Sequence, residues 1–245
     1  MPFTLAHPAA VLPLLRPPFV PAALVAGAVA PDVPYFVRAS GVGVSAGSWY
    51  EPLTNATTTH DVLGALTVTL PVSLVLWVAW LVARPALLWT TGAGTAGSTG
   101  APRSRLATAG WLVVSAALGV ATHLAWDALT DLARWLQHAS TVVGLLAVLG
   151  YVVLRRPRGA LVPPYRRRVL AASGLLVAAG LAGAALATRD VGEIGLDAFG
   201  GPEVVLTHAV KGGGAAAAVA LVLLVVAWWV TRAAPAGRGR RAPAA

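Results

Sequence analysis

The segment Leu106–Trp126, LATAGWLVVSAALGVATHLAW, decides the fold class. It carries no Arg, Lys, Asp or Glu, and at about 1.5 Å per residue a helix of this length crosses the roughly 30 Å hydrocarbon core of a bilayer. The whole chain has a mean hydropathy of +0.74 and only 11% charged residues, which favours lipid as its solvent. Four further windows are comparably apolar: Val62–Val82, Ala139–Leu154, Val169–Ala187 and Val204–Val230. The sequence predicts an all-α, polytopic membrane helix bundle with five spanning helices.

Charged residues are sorted between the segments that join these windows. The segments after the first, third and fifth windows contain arginines and no acid, whereas all nine acidic residues lie in the alternate segments. By the positive-inside rule, the arginine segments and the C-terminus are cytoplasmic and the acidic segments external. We therefore interpret the net charge of +9 as a topology signal, and we expect the lipid bilayer, not nucleic acid, as partner. The sequence does not define an oligomeric state.

The domain organisation is simple. We expect one membrane domain, 1–232, in the cell (inner) membrane, followed by a disordered basic tail, 233–245. The stretch Thr90–Gly100 is rich in Gly, Thr and Ser, which is typical of a flexible linker.

The N-terminal apolar segment is interrupted by prolines. Five of them lie between Pro8 and Pro21, with Arg16 near the middle, and a straight helix would lose hydrogen bonds there. A re-entrant hairpin with arms at 9–15 and 20–30 would return His7 and Asp32 to the same face. The alternative is a sixth spanning helix, which would leave His7 inside. A cleaved signal peptide is a weaker interpretation, because no basic region precedes the apolar run.

The histidines are the main functional clue. The chain has no cysteine, so any metal would be held by histidine and carboxylate. With the hairpin, all five histidines lie at helix ends on the acidic, external side, where random placement would have spread them over both faces.

The strongest single motif is Thr122–Asp127, THLAWD. Its His123 and Asp127 are four residues apart, so they share one helix face and could grip one cation. Asp131 would continue that face by one turn. The alternative is a helix-end hydrogen bond between the two side chains, with Trp126 as an interface anchor.

Two other elements supply candidates. His60 follows three threonines and opens the helix that begins near Asp61, where a neutral imidazole could offer a nitrogen to a metal. The threonine run would cap that helix, and a carboxylate at Asp61 in its first turn would suit the helix dipole. Asp32 lies between two prolines, either as an ordinary turn residue or as a ligand or base on a stiff loop. His138 and His208 are more typical of interfacial residues.

The chain resembles the bacterial membrane proteins of domain-of-unknown-function family 4184, over nearly its whole length. The resemblance is carried by Met1–Pro8 (MPFTLAHP), Ala30–Asp32, His60–Pro71 (HDVLGALTVTLP), Thr122–Thr130 (THLAWDALT) and Gln137–Ser140. That family is distantly similar to membrane-bound predicted metal-dependent hydrolases. The resemblance implicates His7, Asp32, His60, His123 and Asp127 as metal ligands. Relatives often have serine where this chain has Asp61, which leaves the role of that position open.

Two hypotheses follow. In the first, the protein is a metal-dependent hydrolase at the external membrane interface, where the five ligands hold one or two divalent ions, zinc being the best match, and Asp32 or Asp61 is the catalytic base. Such a site suits a lipid-linked ester or phosphoester. In the second, the polar cluster belongs to a non-enzymatic membrane protein with a structural, partner-binding or transport role.

Overall fold

Five long helices dominate the structure, a computed structural model that describes residues 3–43, 45, 47–92, 104–155, 163–189 and 201–233. The helices are α1 (Pro8–Val11), α2 (Pro21–Val29), α3 (Val33–Ala39), α4 (Glu51–Thr54), α5 (Ala56–His60), α6 (Val62–Gly64), α7 (Leu70–Thr91), α8 (Arg105–Thr130), α9 (Arg134–Arg155), α10 (Pro163–Ala187) and α11 (Gly201–Ala233). A π-helical turn, Ala65–Thr69, joins α6 to α7. Five stretches are long and apolar enough to cross a membrane: Val62–Thr91, Arg105–Thr130, Arg134–Arg155, Pro164–Ala187 and Val204–Arg232. The predicted helical membrane bundle is confirmed, and the protein is a multi-pass membrane protein.

Two segments predicted from the sequence lie partly or mostly outside the described residues. Helix α7 continues to Thr91 and ends at Gly92, which has a φ of +68°, so the predicted linker begins later than Thr90. The rest of that linker, 93–100, lies outside the described residues, as does the basic tail from 234 onward.

The N-terminal segment folds as a helical hairpin. Its first arm contains α1 and a short 3₁₀ turn, Leu12–Leu14, and its second arm is α2. Because the chain reverses between the arms, His7 and Asp32 meet at one end, with 3.9 Å between His7 Nδ1 and Asp32 Oδ2. The sequence allowed a sixth spanning helix here as an alternative, but no helix in this described segment reaches spanning length.

Helix α2 crosses α8 at very short range. A Cβ atom at Gly119 would lie 2.3 Å from the carbonyl oxygen of Leu24, and one at Gly27 would lie 2.2 Å from the carbonyl oxygen of Ala116. Only glycine fits at such a crossing, as in other close contacts between membrane helices. The contact fixes the backbone of α2 against the face of α8 that carries His123, one turn further along.

Helices α10 and α11 pack in the same way. Gly183 and Gly212 face each other, since a Cβ on either would lie 2.5–2.7 Å from the carbonyl oxygen of the other. The glycines at 212–214 therefore lie at close helix contacts.

The arginine-rich ends of three helices meet around one tryptophan. The guanidinium of Arg168 on α10 lies 4.0 Å from the ring centroid of Trp89 on α7, and that of Arg232 on α11 lies 5.4 Å from it. The segments that the charge pattern assigned to one side of the membrane therefore share one end of the bundle.

Candidate metal centre

Helix α8 supplies two side chains of the site from one face. His123 is fully buried and Asp127 is 5% exposed, and the four-residue spacing places them one above the other. The Nε2 atom of His123 lies 3.4 Å from Oδ2 of Asp127. The Nδ1 atom of the same ring lies 2.8 Å from the carbonyl oxygen of Ala28 on α2. The close crossing of α2 and α8 thus orients the imidazole.

Asp32 and His60 come from two short elements that are tied together. Asp32 ends a 3₁₀ turn, Ala30–Asp32, directly after α2, and its side chain is almost completely buried. The hydroxyl of Thr59 donates to the carbonyl oxygen of Pro31 at 2.7 Å, and this bond holds α5 against the turn. The hydroxyl of Thr69, in the π-helical turn, donates in turn to the carbonyl oxygen of Thr59 at 2.9 Å. A π-helical turn beside a site is a common way to aim side chains.

His60 differs from the sequence prediction in its position. It ends α5 instead of opening the next helix, and the cap of α5 is the Asn55 side chain, which accepts from the Thr57 amide. The next helix, α6, is capped by the side chain of Asp61 and not by the threonines. The Nδ1 atom of His60 lies 2.8 Å from the carbonyl oxygen of Ala56, one turn back. That hydrogen bond, and not the start of a helix, sets the orientation of the ring.

His7 lies between the two carboxylates and is fully buried. Its Nε2 lies 3.0 Å from Oδ1 of Asp127, and its Nδ1 lies 3.3 Å from the carbonyl oxygen of Thr4. Its ring stacks on that of His123, with 3.8 Å between the centroids. Because its Nε2 is already within hydrogen-bond distance of Asp127, His7 is better placed to orient that carboxylate than to bind an ion itself.

Four side-chain atoms converge on one point without hydrogen-bond partners: Nε2 of His60, Nε2 of His123, Oδ1 of Asp32 and Oδ2 of Asp127. Asp127 Oδ2 lies 3.4 Å from each of the two nitrogens, and Asp32 Oδ1 lies 3.6 Å from each. Ligands bound to one zinc ion at about 2.0–2.1 Å in a tetrahedron are about 3.4 Å apart. These four nitrogen–oxygen separations are close to those between ligands of one tetrahedral ion.

The tautomers of the two histidines favour the same interpretation. Each ring faces a backbone carbonyl oxygen with Nδ1, so Nδ1 carries the hydrogen, and a neutral ring then directs the lone pair of Nε2 towards the carboxylates. Metal-ligating histidines generally donate their other N–H group to a carbonyl or carboxylate in this way. Lone pairs facing carboxylate oxygens repel, so the arrangement needs a cation, either a proton or a metal ion.

The electrostatics indicate that the two carboxylates of the cluster favour a positive charge beside them. Burial alone would raise the pKa of Asp32, but the close approach of His60, together with the charge of His123, holds that pKa below its ordinary value. Burial lowers the pKa of His60, but the carboxylates of Asp127 and Asp32 outweigh it and raise the pKa to about 9. Without a metal ion, a proton on His60 would supply part of that positive charge.

Two different groups of three residues could each hold a metal ion. Ligand atoms of His60, His123 and Asp127 all lie within 4.8 Å of one another, and so do those of His7, Asp32 and His123. His123 belongs to both groups but has only one nitrogen left after its bond to Ala28. One ion is therefore easier to accommodate than two.

One side chain of the cluster is less buried than the others. The side chains of His7, His123, Asp32 and Asp127 are at most 7% exposed, whereas that of His60 is 16% exposed. A small molecule would approach past His60.

Other candidates from the sequence lie outside this cluster. Asp61 is exposed, and its Oδ2 accepts from the amide of Leu63 as the N-cap of α6. Asp131 accepts from Gln137 at the surface. His138 and His208 are exposed and are not members of the ligand groups in the described residues.

Several parts of the site leave no signal in the sequence. The carbonyl oxygens of Ala28 and Ala56 orient the two ligand histidines, but every residue has a carbonyl. Thr59 was visible only as one of three neighbouring threonines. The glycines at 27 and 119 were visible as small residues in apolar helices, a pattern that indicates a helix contact without naming the partner.

The comparisons with known proteins add a family. No curated protein matches the chain, and no solved structure matches it. The family model described as Domain of unknown function (DUF4184) matches residues 1–135, more than half of the chain. The matched part contains all five residues of the cluster and ends just inside α9. The chain therefore belongs to the DUF4184 family.

Proposed function

We propose that this membrane protein is a metal-dependent hydrolase with one divalent ion, zinc being the best fit, held by His60, His123 and Asp127. The observation that carries the proposal is the convergence of unpartnered nitrogen and oxygen atoms at tetrahedral separations. Two histidines and one carboxylate form a ligand set found in catalytic zinc sites, which keep a fourth position for water. Softer thiolate ligands are excluded by composition, since the chain has no cysteine.

In this assignment, Asp32 lies beside the fourth position, which a water molecule would take. Its Oδ1 atom is slightly further from the two imidazoles than Oδ2 of Asp127, at 3.6 Å, and has no hydrogen-bond partner. A divalent ion would supply the activation of water and the polarisation of an ester or phosphoryl oxygen. Asp32 is then the carboxylate placed to accept the proton from the attacking water. His7 would hold Asp127 in position through the 3.0 Å contact.

The position of the site supports a substrate in or near the membrane. His60 directly precedes the first spanning stretch, and His123 and Asp127 lie in the last two turns of the second. Groups at the ends of spanning helices lie near the headgroup region of a bilayer. A lipid-linked ester or phosphoester could bring its reactive bond to that depth, on the side that the arginine pattern predicts to be external.

The direct test is the metal content of the purified protein. We expect about one zinc per chain in the wild type and strong loss in His123→Ala, because removal of one of three ligands opens the site. His208→Ala is the matched control, since His208 is exposed and bonded only to the Val204 carbonyl within its own helix. The proposal would be overturned if folded wild-type protein binds none of zinc, cobalt and manganese.

One observation favours a non-enzymatic role as the second candidate. Four of the five cluster residues are almost completely buried, as in structural sites that only hold helices together. The two roles separate when zinc-loaded protein is offered ester and phosphoester substrates. If zinc raises the melting temperature of the protein, but no hydrolysis that depends on Asp32 is detected, the site has the structural role.

A further inference from the structure

Lys211 is an unusual residue of this chain. It is the only lysine, the other 17 basic residues being arginines, and it lies inside the last spanning stretch. None of the salt bridges found among the described residues reaches Lys211. A charged group inside a membrane helix is unfavourable unless a partner or a function offsets it.

Lys211 is directed towards the candidate metal centre. Its Nζ lies 4.5 Å from the ring centroid of Tyr35 on α3, and that ring lies 6.4 Å from the ring of His60. The charges of Asp32 and Arg38 also act on Lys211. A ring beside a lysine stabilises the ammonium through a cation–π contact without neutralising it, so the positive charge stays available.

The carboxylates of the candidate metal centre also act on Tyr35. Burial, followed by the charges of Asp32 and Asp127, raises the pKa of Tyr35 to about 12. The phenol is therefore neutral at physiological pH. Tyr35 neighbours both Lys211 and His60, and the side chain of His60 is the most exposed of the cluster at 16%.

The packing of α11 fixes this geometry. A Cβ at Gly214 would lie 2.9 Å from a ring carbon of Phe36, so α11 approaches α3 closely at that point. Lys211 lies three residues before Gly214 and therefore on the same face of the helix. Both residues follow the part of the chain that the family model matches.

We propose that Lys211 binds an anionic phosphate group of the substrate as it reaches the candidate metal centre, which makes a phosphoester the substrate class. This inference rests on the proposed function. A lysine acts as a point charge for phosphate, and Arg38 on α3 adds a second positive charge nearby. A neutral carboxylic ester would bring no negative charge to the ammonium.

The test uses inorganic phosphate as the probe and cobalt in place of zinc. Cobalt content is measured first, and phosphate is then titrated while the visible cobalt spectrum is followed. We expect equal cobalt content in wild type, Lys211→Met, Lys211→Arg and the exposed control Arg189→Met. Phosphate affinity should fall about tenfold to a hundredfold in Lys211→Met, the range of a lost charge-assisted hydrogen bond, and stay close to wild type in the other two.

A second measurement keeps the inference independent of variant folding and of the metal. Reductive methylation with ¹³C labels the single lysine side chain of the wild type, and its resonance is followed during the phosphate titration with and without metal. A shift that saturates with phosphate supports the inference. A chain that binds no metal while this signal shifts would refute the proposed hydrolase but retain an anion site. Unchanged phosphate affinity in Lys211→Met, or a signal indifferent to phosphate, would overturn the inference.

Discussion

Gly119→Ala should damage the candidate metal centre without touching any of its side chains. The added Cβ would lie 2.3 Å from the Leu24 carbonyl oxygen, 2.8 Å from the Ala28 nitrogen and 2.9 Å from the Gly27 Cα. All three are backbone atoms, so no side-chain rotation can relieve the clash. Ordinary contacts of about 3.5 Å would require α2 and α8 to separate by about 1 Å.

That separation acts on the site through one hydrogen bond. The 2.8 Å contact from His123 Nδ1 to the Ala28 carbonyl oxygen would lengthen to about 3.8 Å, beyond hydrogen-bond length. Overpacking of this kind lowers the free energy of unfolding by about 1–3 kcal/mol. The better helix propensity of alanine offsets up to about 1 kcal/mol of that loss. Loss of a hydrogen bond that orients a ligand lowers metal affinity about 10–100-fold.

The assay compares zinc affinity by chelator competition, and melting temperature, in Gly119→Ala and Gly110→Ala. Gly110 lies in the same helix, and a Cβ added there would meet nothing within 4 Å, so its variant controls for alanine itself. We expect weakened zinc binding and a lower melting temperature in Gly119→Ala alone. Equal zinc affinity in the two variants would refute the role of the helix crossing in orienting His123.

Further predictions concern single residues and pH. His7→Ala should lower zinc affinity about 10–100-fold with the ligands intact, because it leaves Asp127 Oδ1 unpaired, and chelator competition measures this loss. Asp61→Ala should cost about 0.5–2 kcal/mol of stability as a lost N-cap and leave zinc content unchanged; loss of zinc would place Asp61 in the site. Because the pKa of His60 is raised to about 9 without metal, its proton must leave when zinc binds at neutral pH. Zinc affinity should therefore rise between pH 6 and about 9, and calorimetry in buffers of different ionisation enthalpy should detect proton release. Removal of zinc by a chelator should lower the melting temperature of the wild type and leave that of His123→Ala unchanged.

Several features of this protein could be predicted from sequence because they depend on local pattern. Runs of apolar residues long enough to cross a bilayer specify the spanning helices, and the alternation of arginine and acidic segments assigns their ends to two sides. The pairing of His123 with Asp127 follows from helix periodicity alone. The prolines of the N-terminal segment predicted a reversal that brings His7 and Asp32 together, as the structure shows.

Only the tertiary structure decided which candidates share a site. Asp61 and His60 are neighbours in sequence, yet a short helix ends between them, so one side chain caps a helix at the surface and the other enters the cluster. The separations of 3.4–3.6 Å and the carbonyl partner at Ala28 depend on how α2 packs against α8 and how α5 packs against the turn at Asp32. The position of Lys211 depends on how α11 packs against α3. Such contacts join residues that are far apart in the chain. The periodicity of residues within one helix does not predict how close that helix lies to another helix.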